Sequence, residues 1–315
     1  MDDSENNASR RRTRDELLNL ARVRGSAGGA RRLALPALIA DTLAIEAESA
    51  QAAGSLGFLA RAMVQATLPH RKIAGNEFER KNGAYTLHLL APARIGLPYG
   101  TVPRLLLTWL TTEAVRTQSR ELYLGDSLSH FMHELDMVPT GGRWGSITRL
   151  KDQTARLFAS TISATYAGTQ SHTEAGFRLA DRSTLWWDAK TPEQSGLWES
   201  SVRLSETFFD EIIAHPIPVD LRAIRALKKS PLALDIYAWM TYRASYATKP
   251  AEIPWQSLAM QFGSDYAQVR DFKAAFLDAL RKVHTVYAAA TFEVGERGLI
   301  VKPARPHITR KQTPP

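Results

Sequence analysis

One order of structural signals runs through this chain twice, and that repetition limits its fold more than any other feature. The turn Tyr99-Gly100-Thr101-Val102-Pro103 leads into a helix over 104–116, with Thr101 as its cap and Pro103 in its first turn. A short strand, Glu121-Leu122-Tyr123-Leu124, ends at Gly125, and Asp126 or Ser127 can cap a second helix over 128–137. Pro139-Thr140-Gly141-Gly142 breaks the chain, and a long third helix runs from Ser146 through Ile162, with Ile147, Leu150, Leu157 and Phe158 apolar. Two strand-like runs follow, 176–187 and 197–204, separated by a turn around Pro192 and Gly196.

From Ser230-Pro231 the order begins again. A helix covers 232–246, Ile253-Pro254-Trp255 takes the place of the short strand, and a short helix over 256–262 breaks at Gly263. A long helix over 265–285 carries Val269, Phe272, Phe276, Leu280 and Val283, and a hairpin turns at Gly295-Glu296-Arg297-Gly298. Individual residues align too. Trp109 corresponds to Trp239 and Ser127-Leu128 to Ser257-Leu258, both at an offset of 130 residues. Trp144-Gly145-Ser146 corresponds to Phe262-Gly263-Ser264 at an offset of 118, so the first copy has the longer turn between helices.

Helix, strand, helix, turn, helix and ribbon make the winged helix-turn-helix layout. The expected fold is therefore α+β and mainly helical, with two tandem winged-helix domains behind an N-terminal arm. The boundaries are 1–55 for the flexible basic arm and first helix, 56–205 for the first domain, and 206–315 for the second with its basic tail. Within the first part a helix is expected over 33–52, a second near 56–66, and a strand around Tyr85–Leu90.

Charge narrows the partners. The net charge is +8 and the pI near 9.7, which favours polyanions. Arg10, Arg11, Arg12 and Arg14 cluster in the arm, and from Arg297 onward Lys302, Arg305, Arg310 and Lys311 meet no acidic residue. There are no cysteines, which excludes disulfides and thiolate metal sites. No apolar run reaches the roughly 18 residues of a membrane span, and the polar start lacks a secretory signal, so a bacterial cytoplasmic protein is expected.

In a winged helix the third helix enters the major groove and the hairpin tip reaches a neighbouring groove or backbone. In the first copy that helix offers Ser146, Thr148, Arg149, Lys151, Gln153 and Arg156: Arg149 for a guanine edge, Gln153 for adenine, Ser146 for a phosphate. In the second copy it offers Ser264, Tyr266, Gln268, Arg270 and Lys273, and the second wing and tail add Arg297, Lys302 and Arg305. Taken one by one, such residues are also those of any solvated helix face. The tryptophans Trp109 and Trp239 and the phenylalanines Phe158 and Phe276 read as core; Trp186, Trp187 and Trp198 either pack the first wing or face a partner.

Enzyme signals do not assemble. His130-Phe131-Met132-His133-Glu134 matches neither the H-E-x-x-H zinc pattern nor its inverse, and Gly141-Gly142-Arg143-Trp144-Gly145-Ser146 lacks the lysine of a phosphate loop. The eight histidines never fall two apart, as a nicking metal motif would require. No catalytic activity, metal or cofactor is expected.

With these residues in hand, the chain resembles the plasmid-encoded RepA replication proteins. The resemblance is carried by Leu68-Pro69-His70-Arg71, by the run from Gly96 to Leu105 (Gly-Leu-Pro-Tyr-Gly-Thr-Val-Pro-Arg-Leu), and by Trp109-Leu110-Thr111-Thr112-Glu113-Ala114. It continues through Ser119-Arg120-Glu121, Leu124-Gly125-Asp126-Ser127-Leu128-Ser129, Thr140-Gly141-Gly142 and Arg156-Leu157-Phe158, over about residues 56–290. It implies binding to directly repeated origin sites (iterons), local opening of the duplex, and recruitment of the host initiator and replicative helicase. It further implies dimerisation through the first winged-helix domain and repression of the protein's own promoter. A transcriptional repressor without a replication role is the alternative; a primase or relaxase is the enzyme class that the missing motifs oppose.

Overall fold

The computed structural model describes residues 34–167, 172–184, 200–263 and 266–308. The expected basic cluster at Arg10–Arg14, the tryptophans Trp186, Trp187 and Trp198, the turn around Pro192 and Gly196, Ser264, and the tail residues Arg310 and Lys311 lie outside these. The first repeat comprises α3 (Thr101–Thr117), β4 (Glu121–Tyr123), α4 (Leu128–Glu134), α5 (Ser146–Ala159) and the strands β7 (Ala180–Thr184) and β8 (Ser201–Leu204). Ahead of it come α1 (Ala34–Ala47), β1 (Leu56–Ala60), α2 (Arg61–Gln65), β2 (Glu77–Asn82) and β3 (Tyr85–Leu90). The second repeat comprises α8 (Pro231–Ala244), β10 (Ala251–Pro254), α9 (Trp255–Phe262), α10 (Val269–Val286), β11 (Phe292–Val294) and β12 (Gly298–Val301). Between the repeats lie α6 (Glu206–Ala214), β9 (Pro216–Asp220) and α7 (Leu221–Leu227), while β5 (Thr161–Ala167) and β6 (His172–Arg178) interrupt the first. The fold is thus mixed α and β, and no helix among the described residues is long and apolar enough to cross a membrane.

Each repeat builds a small sheet of one plan. In the first, β4 pairs with β8 and β8 with β7; in the second, β10 pairs with β12 and β12 with β11, all antiparallel. A short strand between the first two helices thus adds to the outer edge of the later hairpin in both copies. The caps follow the sequence logic. The Ser127 hydroxyl accepts from the His130 N–H, and that of Ser230 accepts from the Ala233 N–H with Pro231 opening the helix. At α3, however, Gly100 at φ 79° is the cap and Thr101 the first helical residue.

Several expected elements are corrected. The segment near 56–66 opens as strand β1, which pairs with β9 from Leu56↔Asp220 to Ala60↔Pro216, and only Arg61–Gln65 is helical. Gly57 explains the fit, because a Cβ there would lie 2.4 Å from the Leu221 side chain. The third helix of the first copy ends at Ala159 rather than passing Ile162, and Ile162 sits in β5 of a four-stranded sheet ordered β2-β3-β5-β6. The run read as one strand from Gly176 is two, β6 and β7, which separate at buried Leu179 and enter different sheets. The long helix of the second copy starts at Val269, not Asp265, with Tyr266 and Gln268 ahead of it.

One continuous core runs through both repeats, from Leu106, Leu110 and Leu150 to Trp239, Phe262 and Phe276. Polar groups bridge the halves inside it. Buried Arg104 donates from Nε and Nη2 to the two carboxylate oxygens of Asp235, both at 2.7 Å, and also to the carbonyls of Leu68, Pro69 and Gly100. His70 Nε2 lies 2.7 Å from the same carboxylate. At the other end, Thr42 of α1 donates to the Thr285 carbonyl at 3.1 Å, and Arg222 of α7 donates to the carbonyls of Ala44 and Glu48.

Candidate nucleic-acid interface

Helix α5 has two sharply different sides. Ile147, Leu150, Thr154, Leu157 and Phe158 are buried, whereas Thr148, Arg149, Lys151, Asp152 and Ala155 face solvent. Of the six first-copy residues expected to touch DNA, the structure thus brings Thr148, Arg149 and Lys151 to one open, cationic surface. The other three are corrected. Gln153 is only 2% exposed, and its Oε1 accepts the Tyr99 N–H at 2.8 Å. Ser146 is 6% exposed, and its hydroxyl donates to the Val138 carbonyl at 2.6 Å while accepting the Thr140 N–H at 2.9 Å. Arg156 is largely covered; it pairs with Asp152 at 2.8 Å, reaches the Leu97 carbonyl at 3.4 Å and lies over the Tyr99 ring. The signal was in the spacing: Gln153 is three residues past Leu150 and four before Leu157, on the apolar stripe.

These inward residues give the Gly-Leu-Pro-Tyr-Gly run its role. Gly96, at φ 79°, would bring a Cβ within 2.6 Å of the Arg156 guanidinium, so Arg156 and Gln153 clamp the open face of α5 at a set angle on this loop. Arg120 does similar work for the sheet beside it, donating to the Leu204 carbonyl at 3.1 Å and to Asp181 at 2.8 Å.

The second copy presents Tyr266, Gln268 and Arg270 to solvent at the start of α10, with the Arg270 side chain 82% exposed and 3.3 Å from Asp271. Lys273 is half-buried, its ammonium 4.7 Å from the centre of the Trp255 ring. Arg297 stands exposed in the β11–β12 turn, which is closed by the Gly295 N–H donating to the Gly298 carbonyl at 2.9 Å. Lys302 pairs with Glu293, which takes up much of its charge locally. The Arg305 side chain is exposed on a segment held down by its own backbone, for its carbonyl accepts the Tyr287 hydroxyl at 2.6 Å. His307 is pinned beside it. Its ring stacks on Tyr287 at 4.6 Å and its Nδ1 lies 2.8 Å from the Tyr237 hydroxyl. Burial lowers the His307 pKa to about 4.

Sequence reasoning missed a pair of residues beside α5. Trp144, aligned with core residue Phe262, is instead 85% exposed, and the Arg143 guanidinium lies 5.1 Å from its ring centre. Among the described residues no three His, Asp or Glu side chains converge on a metal-sized site.

Residues 97–253 match the family described as plasmid-encoded RepA protein. The chain belongs to the plasmid-encoded RepA family. The match in this RepA-family protein runs from the loop that clamps α5, through the first repeat, to α8 and β10. It takes in both Arg104 and Asp235, so the buried pair lies within the family's own span. Among solved structures, domains 2 and 3 of RctB (selenomethionine derivative) align with a TM-score of 0.50 at 10% identity, over 77% of this chain and 98% of that one. A second structure of RctB domains 2–3 aligns at 0.46 and 11% identity, over 76% and 94%. The first likeness is one of fold. No curated protein sequence matches the chain.

Proposed function

We propose that this RepA-family protein is a plasmid replication initiator that grips double-stranded origin DNA with two winged-helix units. The observation that carries the reading is the repeated plan of helix, edge strand, helix, helix and hairpin, with the same three-strand order in both copies. In each copy the third helix turns cationic side chains outward, Arg149 and Lys151 on α5 and Arg270 on α10. Arg149 reads a guanine edge in this proposal, Lys151 and Arg297 meet phosphates, and binding is to direct repeats of roughly 20 base pairs, two modules reading successive turns. Opening of the duplex, recruitment of the host initiator and helicase, dimerisation through the first unit and repression of its own promoter follow from the family resemblance.

The test is footprinting of the purified chain on the DNA around its own gene, with random duplex as competitor. Protection of adjoining repeats is expected, with no nicking and no nucleotide incorporation. Equal affinity for repeat and random DNA would overturn the reading.

A further inference from the structure

Trp144 sits in the turn between α4 and α5, and that turn is not slack. The Gly145 N–H donates to the Gly142 carbonyl at 3.1 Å, the Ile147 N–H to the Thr140 carbonyl at 3.3 Å, and the Thr148 hydroxyl to the Gly142 carbonyl at 2.8 Å. Ser146 and Thr140 exchange further bonds, the Ser146 N–H donating to the Thr140 hydroxyl at 2.9 Å. Gly142 stands at φ 86°, and a Cβ at Gly145 would lie 2.2 Å from the Thr140 carbonyl oxygen. A single exposed apolar residue needs no explanation. An indole held clear of the protein by a clamped, glycine-dependent turn is different, because the geometry that displays it is itself built and costs backbone freedom.

Its neighbours say what it faces. Arg143 is stacked over it, Arg149 and Lys151 are exposed on the helix that follows, and the nearest acid on that helix, Asp152, is paired with Arg156. A broad aromatic face with one cation stacked on it, ahead of a helix with two more exposed, fits a base flanked by phosphates. We propose that Trp144 is a wedge. As α5 enters the major groove the indole packs into an adjacent base step and partly unstacks it, while Arg143 neutralises the neighbouring phosphate. The inference rests on the DNA-binding reading above and adds a residue that deforms the duplex.

The experiment compares the parent chain with Trp144→Ala, Trp144→Phe and Arg149→Ala on an end-labelled duplex carrying the footprinted repeat. Affinity and permanganate reactivity of the thymines are read together. The parent is expected to make one thymine per repeat reactive. Trp144→Ala should abolish that reactivity and weaken binding about ten-fold, the scale of a lost base–aromatic stack. Trp144→Phe should keep part of both, and thermal unfolding should be unchanged because the side chain stands in solvent. If Trp144→Ala binds and distorts as the parent does while Arg149→Ala binds less, the wedge is wrong and the duplex reading stands; the indole then serves a protein partner. Weaker binding by Trp144→Ala with no reactive thymine in the parent would also refute the wedge. If the parent shows no preference for the repeat, both proposals fall together.

Discussion

Asp235 is where the two repeats are most directly tied. Burial alone would raise its pKa, but Arg104 and His70 more than offset this and hold the carboxyl below the usual carboxylate range. His70 is itself shifted down, since burial outweighs the attraction of Asp235, so it is neutral near pH 7 and donates from Nε2. Removing one partner from so enclosed a pair leaves an uncompensated charge. Asp235→Ala should therefore cost about 3–5 kcal/mol in urea unfolding followed by tryptophan fluorescence. Gln153 and Arg149 make an informative pair on one helix. Gln153→Ala strands the Tyr99 N–H and should lower stability by about 1–3 kcal/mol with base preference intact. Arg149→Ala should leave the unfolding midpoint unchanged and cost about 1–3 kcal/mol on the specific site only, measured against random duplex.

Among elements, α5 and the helices of the second repeat were the most legible. Their apolar residues recur at helical spacing, and Ser127, Ser230 and Pro231 mark helix starts by local chemistry that needs no distant partner. β1 and β5 were hidden for the opposite reason. Leu56–Ala60 is rich in good helix formers, yet it is a strand because β9 lies ready to pair with it from the far side of the first repeat. Thr161–Ala167 is rich in the Thr, Ile and Tyr that favour strands, but the helical apolar spacing carried the expected helix on to Ile162; the segment extends where β3 and β6 flank it. The turn before α5 gives a direct check on element geometry. Gly145→Ala has no room for its methyl group beside the Thr140 and Gly141 carbonyls, so the turn must open. Its expected signature is a lower melting temperature together with weaker DNA binding, whereas alanine at Gly141, which has open space, should change neither.

Across the whole molecule, acidity and salt probe different parts. A histidine whose folded pKa is depressed leaves the unfolded chain to take the proton first as pH falls. His307 therefore contributes its full stability above pH 6.5 and loses it progressively as pH drops towards about 4, by up to about 3 kcal/mol. Melting temperature across that range should decline less steeply in His307→Phe, which keeps the stack on Tyr287 without a titrating ring. Salt tests the tail. Deleting 309–315 removes Arg310 and Lys311 but spares buried Ile308 and the pinned His307, so it should reduce the salt slope of DNA binding by up to about two without changing sequence preference. The repeated order of helices and strands and the outward Arg149, Lys151 and Arg270 were set by the sequence alone, because helical periodicity, caps and glycine breaks act between residues close along the chain. Which polar residues turn inward, where strands replace helices, and the standing of Trp144 clear of the core were decided only by the tertiary structure. Those outcomes depend on partners such as Tyr99, β9 and Asp235, which reach their places only when the chain has closed.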